Sequence, residues 1–123
     1  MNYYPVIIIT LNRYKHFRRC VETLAMNTHA DQTELVIGLD YPPNEKYVEG
    51  YHQIKVFVPQ ISGFRKVTVF ERSENLGPDQ NYADLLNYCY NHYDAAIFTE
   101  DDNEFSPCFL DFSSCMIFFS LIV

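Results

Sequence analysis

The chain has 123 residues, a length that fits one domain. Its 48% hydrophobic and 20% charged content supplies a core, which excludes an intrinsically disordered chain. Nine Lys and Arg against sixteen Asp and Glu leave a net charge of -7, which argues against a nucleic-acid binder, because phosphate contact needs surplus cations.

In chain order, Pro5 to Leu11 (PVIIITL) is a continuous apolar, β-branched run. It predicts a strand buried on both faces, as in a parallel sheet. Its apolar stretch is too short for a secretory signal peptide. Asn12 is expected to cap a helix running to about Asn27, with Phe17, Cys20, Val21 and Leu24 at helical spacing. Glu34 to Leu39 (ELVIGL) predicts a second buried strand ending at Asp40, and Pro42-Pro43 stop it. Asn44 to about Val58 predicts a helix ended by Pro59. Lys66 to Glu71 (KVTVFE) predicts a third strand. Asn75-Leu76-Gly77-Pro78 turns into a helix from Pro78 to about His92, with Pro at the tolerated first position. Ala95 to Thr99 predicts a fourth strand running into Glu100-Asp101-Asp102, and Ser106-Pro107 reads as a further helix start.

The order βαβαβαβα implies an α/β fold: an open, mostly parallel sheet with helices on both faces. Residues 1–123 form a single domain without repeats or linkers. In such sheets ligands bind beyond the carboxyl ends of the strands. The candidates are therefore Thr10, Asn12 and Arg13 after the first strand, Asp40 after the second, Arg72 and the Asn75 to Gly77 turn with Asp79 after the third, and Glu100, Asp101 and Asp102 after the fourth. Gly77 suits a backbone approached by a ligand, and a helix start suits an anion. Each has a plainer reading: Asp40 as a turn residue, Arg13 as a surface charge, and the loop at Gly77 as a tight strand-to-helix connection.

All nine basic residues lie at or before Arg72, whereas nine acids follow it. Bunched carboxylates at 100–104 repel one another unless something positive sits among them, and a divalent cation is the expected partner. Strand alternation would put Glu100 and Asp102 on one side and Asp101 opposite. The plainer reading is a solvated acidic turn.

Other chemistries have less behind them. Cys20, Cys89, Cys108 and Cys115 show no CxxC pair and are expected to be reduced, buried thiols. His16, His29, His52 and His92 have no metal-ligand spacing, and nothing supports a Cys–His nucleophile. The tyrosines at 88, 90 and 93 read as packing. A phospho-acceptor receiver domain would need acids where Thr10-Leu11-Asn12-Arg13 stand and a Lys after Arg72. The uncharged end from Cys115 to Val123 is too short to span a bilayer, which takes roughly 20 residues. A cytoplasmic location is expected.

The segments PVIIITLNRYKHFRRCVETL, ELVIGLD, RSENLGPDQNYADLLNYCY and AAIFTEDDNEFSPCFLDF together resemble the nucleotide-sugar-binding half of GT-A glycosyltransferases over residues 5–112. A strand ending in EDD before a Pro-Xaa-Phe helix start is similar to the metal motif of the N-acetylglucosaminyltransferase I type, a variant of DxD. The resemblance implies Mn²⁺- or Mg²⁺-dependent transfer of a hexosyl or N-acetylhexosaminyl group from a UDP- or GDP-sugar to an unknown glycan or other acceptor. By position it implies Asp102 as metal ligand, with Glu100 and Asp101 supporting the ion or touching the ribose. Asp40 would meet the base or ribose, and Thr10, Asn12 and Arg13 would line the nucleotide pocket beside Asn75 and Gly77.

Such proteins continue well past the EDD helix, into the part that carries the acceptor site and the catalytic base. Here residues 113–123 (SSCMIFFSLIV) read as an altered or truncated end, and no base is assigned. The expectation is a donor-binding half-domain with weak transfer activity or none. An open sheet edge and an apolar tail would favour self-association. The alternative is a non-catalytic nucleotide-sugar or metal-binding remnant, an interaction module.

Overall fold

The computed structural model describes residues 3–110. Four strands, β1 (Val6–Thr10), β2 (Glu34–Leu39), β3 (Lys66–Glu71) and β4 (Ile97–Glu100), form one parallel sheet in the order β3-β2-β1-β4. Three α-helices connect them: α1 (Tyr14–Ala25), α2 (Val48–Phe57) and α3 (Pro78–His92). The expected α/β sandwich is therefore present, with strand edges within two residues of those read from the sequence.

The chain adds β2 and β3 on one side of β1, then crosses back to place β4 on the other side. Right-handed crossovers put connections made in opposite directions on opposite faces of a sheet. Accordingly α1 and α2 cover one face, where Phe17, Val21, Leu24, Tyr51, Ile54 and Phe57 pack with Val6, Ile8, Leu35, Ile37 and Leu39. On the other face, Leu85 and Cys89 of α3 pack against Ile7 and Val36. Val6, Ile7 and Ile8 are completely buried, as expected of a strand covered from both sides. Each such side chain contributes roughly 1.5–3 kcal/mol by leaving water.

Several local readings change. Asn12 does not cap α1: Arg13 occupies the cap position, and no side chain bonds to the helix start there. Leu11 and Asn12 are instead spent on a bend that turns the chain from β1 into the helix. The predicted helix from Asn44 to Val58 is three pieces. Asn44 caps a 3-10 turn (Glu45–Tyr47), α2 follows, and Pro59 lies in a second 3-10 turn (Val58–Gln60). Two glycines allow close packing above the strands. A Cβ on Gly50 of α2 would sit 1.9 Å from the Asn12 carbonyl oxygen, and one on Gly38 would sit 2.4 Å from Asn81 Oδ1.

Beyond β4 the chain runs back along α1. The Phe105 amide donates to Thr23 Oγ1 and the Leu110 amide to Asn27 Oδ1, while Asn27 Nδ2 donates to the Ser106 carbonyl. The expected helix after Ser106-Pro107 has begun by Phe109 and Leu110. The apolar end at 113–123 lies outside the described residues. Among the described residues no helix is long and apolar enough to cross a membrane.

Candidate functional site

A sheet whose strand order reverses opens a crevice where the strands diverge, at their carboxyl ends. Here the reversal lies between β1 and β4. A cleft of about 360 Å³ occupies that place, lined by residues that include Thr10, Asn12, Arg13, Asp40, Glu100 and Asp101. Sequence separations of up to about ninety residues close into one site. Asp102 lies just outside the lining, and Asn75 and Gly77 stand behind Asp40.

Asp101 is the best-buried carboxylate of the EDD run, at 5% exposure. Its Oδ2 accepts from Thr10 Oγ1 at 2.9 Å, and its Oδ1 accepts from Arg13 Nη2 at 2.5 Å. The other guanidinium nitrogen, Arg13 Nη1, is 3.5 Å from Asp102 Oδ2. The side chains that converge are therefore Asp101 and Asp102, on Arg13, rather than Glu100 with Asp102. Glu100 is the last strand residue, whereas Asp101 and Asp102 already belong to a turn, where strict alternation lapses.

The acidic run also has cations beside it that its own sequence neighbourhood lacks. Arg13 answers Asp101 and Asp102, and Arg19 answers Glu104 at 2.9 Å. One arginine caps α1 and the other lies in its middle, so the repulsion expected within 100–104 is relieved in part by the fold itself.

Asp40 is also buried, at 5% exposure. Its Oδ1 accepts from the amides of Tyr41 and Leu76, both at 2.9 Å, and its Oδ2 from the amide of Gly77 at 3.0 Å. Asn75 Nδ2 adds a bond to the Tyr41 carbonyl at 2.7 Å. The β2 and β3 exits are thus sewn together by side chain to backbone bonds. Gly77 has φ of 85° and caps α3, and no atom lies within 4 Å of where its Cβ would be. It is needed for its left-handed backbone and not for space.

Arg72 points into the molecule. Its Nε and Nη2 donate to Asn81 Oδ1 and the Asn81 carbonyl, at 2.9 and 3.1 Å, and its Nη1 pairs with Asp84 at 3.1 Å. Asn81, 1% exposed, donates to the Gly38 carbonyl at 3.0 Å and reaches the cleft wall. Sequence reading missed Asn81. Its signal was Gly38, a glycine inside a buried strand, which marks a close approach from above.

Cys20 Sγ lies 3.7 Å from the Glu100 carbonyl. Burial, then the charges of Asp101 and Asp102, push its thiol up to about 12. It stays protonated at neutral pH and is no nucleophile. Cys89 is buried as well, whereas Cys108 is exposed against expectation; all three are free thiols. Cys115 lies outside the described residues.

A larger open hollow, about 730 Å³, lies at the opposite end, beside Arg65, His92 and Tyr93. There the sequence reading needs correction. Tyr88 and Tyr93 are more than packing: with Thr68 they donate to the buried carboxylate of Glu34, at 2.7 Å for Tyr88 and 2.5 Å for Thr68. Tyr90 stays exposed. Burial pushes the Glu34 carboxyl up, but the hydrogen bonds from Thr68, Tyr93 and Tyr88, with Lys66 nearby, outweigh it and hold it below its ordinary value.

Among the described residues no three His, Cys, Asp or Glu side chains stand together as ready metal ligands. Asp101 and Asp102 nonetheless form a hard oxygen pair. Small divalent ions bound with nucleotides take one or two carboxylates and complete their shell with phosphate and water. The donor set therefore fits a cation that arrives with a diphosphate, and does not fit one caged by protein alone.

Compared with known proteins, the chain matches no protein-family profile and no curated sequence. Among solved structures it is similar to the crystal structure of TarS from S. aureus, with a TM-score of 0.66 and 15% identity. The likeness covers 93% of this chain and 19% of the TarS chain, so the chain spans about a fifth of that protein's length. At that identity the comparison establishes the fold alone, an α/β, Rossmann-like parallel sheet.

Proposed function

We propose that the chain is the donor-binding half of a GT-A glycosyltransferase: it holds a nucleotide-diphosphate sugar with a divalent ion, Mn²⁺ or Mg²⁺, for transfer of the sugar to a glycan or other acceptor. The observation that carries this reading is the convergence of Thr10, Arg13, Asp101 and Asp102 at the crevice where the strand order reverses. A carboxylate pair, a guanidinium and a nearby helix start suit a ligand that is anionic and metal-bound.

Asp102 and Asp101 would hold the cation, which when bound supplies Lewis-acid stabilisation of the departing diphosphate. Glu100 faces the same cleft and would take a ribose hydroxyl or a water of the ion. Thr10 fixes the orientation of Asp101 by donating its hydroxyl. Asp40 acts from beneath, holding the Leu76 and Gly77 amides so that the loop keeps its shape beside the nucleotide. Asn12 completes the floor. Asn75 ties the same loop to Tyr41.

Calorimetric titration of UDP and GDP, with and without Mn²⁺, tests this on the wild type, Asp101→Ala and Asp102→Ala. Metal-dependent nucleotide binding that is lost in both variants supports the proposal. Nucleotide binding indifferent to Mn²⁺ and to both substitutions removes it. A second reading, a non-catalytic binder, is favoured by the commitment of Asp40 and Asp101 to internal partners. It would show as donor binding with no sugar released or transferred.

A further inference from the structure

We infer that Arg13 is a built-in substitute cation: its guanidinium occupies the Asp101–Asp102 pair until a nucleotide diphosphate draws it away, so that metal and nucleotide bind as a coupled pair. The inference rests on the donor-binding reading and goes beyond it by assigning the coupling of metal and nucleotide to one side chain.

Asp101 is almost fully enclosed, and a buried carboxylate must be paired or neutralised. Thr10 supplies a hydroxyl but no charge. The compensating charge comes from Arg13, which reaches both acids at once with Nη2 and Nη1, at 2.5 and 3.5 Å. A divalent ion binding the same oxygens would meet that guanidinium at contact distance, and two cations sharing one carboxylate repel strongly where water is scarce. Ion and guanidinium therefore exclude one another.

Arg13 is also free to leave. Its side chain is 48% exposed, whereas that of Asp101 is 7% exposed. It stands at the cap position of α1 and makes no side-chain bond to the helix start, so moving it breaks no helix cap. It lines the cleft in which the nucleotide would lie. A diphosphate arriving there offers the guanidinium a bidentate anionic partner and vacates the acids for the metal. Linkage requires the reverse as well: metal on the acids raises nucleotide affinity by the same factor.

The test is calorimetry of Mn²⁺ alone, and of Mn²⁺ in the presence of UDP or GDP, on the full chain and on Arg13→Gln. Wild type should bind Mn²⁺ weakly by itself and about tenfold more tightly with nucleotide. Arg13→Gln should bind Mn²⁺ alone about tenfold more tightly than wild type, with little further gain from nucleotide. Arg13→Lys, which keeps the charge but loses the fork, should fall between them. Melting curves keep the result readable: Mn²⁺ without nucleotide should raise the Tm of Arg13→Gln more than that of wild type. If wild type binds Mn²⁺ with nucleotide, and the variants bind Mn²⁺ alone no better than wild type, the substitute-cation role is overturned while the donor-binding reading stands. If no chain binds Mn²⁺ with or without nucleotide, both fall together.

Discussion

At the amino end of the sheet Glu34 is clasped by the hydroxyls of Thr68, Tyr88 and Tyr93, whereas at the carboxyl end Asp101 shares its buried charge with Thr10 and the half-exposed guanidinium of Arg13. Both are carboxylates less than a tenth exposed at a strand end. The difference lies in their partners. Glu34 too has a half-exposed guanidinium near it, Arg65 Nη2 at 3.7 Å, but its direct bonds come from the hydroxyls of β3, α3 and the residue that ends α3, so that site reads as part of the architecture. Arg13 sits on the rim of a cleft and can be exchanged. The difference is one of order: Arg13 bonds Asp101 directly, whereas Arg65 stands 3.7 Å from Glu34 and reaches it through the Tyr93 hydroxyl.

The sharpest way to break the comparison is to remove each acid. If Asp101 holds the ion as proposed, Asp101→Ala should lower Mn²⁺-dependent nucleotide affinity by about 100-fold or more, as loss of a direct ligand exceeds loss of a supporting one, and calorimetry reads it. Glu34→Ala should leave that affinity within about twofold but destabilise the chain by about 2 kcal/mol in urea melts, since it takes the acceptor from three partly buried hydroxyls. If Glu34→Ala abolished binding at unchanged stability, the two ends would have exchanged roles.

The pH dependence sharpens it further. The Glu34 carboxyl is held below its ordinary value in the folded chain. Its ionised form therefore contributes stability that is complete above that ordinary value of about 4.5, and is lost as pH falls through the lower folded value. The Tm of wild type should drop as pH falls below about 4.5, and Glu34→Gln should flatten that drop.

Smaller effects come from the glycines. Gly50→Ala should cost about 2 kcal/mol and weaken nucleotide binding, because its Cβ collides with the Asn12 carbonyl and pushes α2 from the loop that forms the cleft floor. Gly77→Ala has no collision to suffer, only a φ of 85° unsuited to alanine, and should cost about 1 kcal/mol.

The fold was legible in the sequence because its strands are covered on both faces and so appear as unbroken apolar runs; ELVIGL and KVTVFE match β2 and β3 to the residue. Pro78 marked the start of α3 equally well. The site was legible as a set of strand-end residues, because a parallel sheet gathers them regardless of separation. Its wiring was not. Nothing local to Glu100-Asp101-Asp102 indicates that Arg13 and Arg19 stand opposite, since that juxtaposition comes from the pairing of β1 with β4. Nor does ELVIGL indicate that its leading acid turns inward, because the three hydroxyls that permit it arrive from β3, α3 and the loop beyond α3.

Asp40 has a mechanical consequence. One carboxylate gripping Tyr41, Leu76 and Gly77 makes two crossover loops a single rigid body. The entropy of ordering that rim is spent during folding, so a ligand landing there meets a preorganised surface and gives up correspondingly less of its binding energy to hold it still.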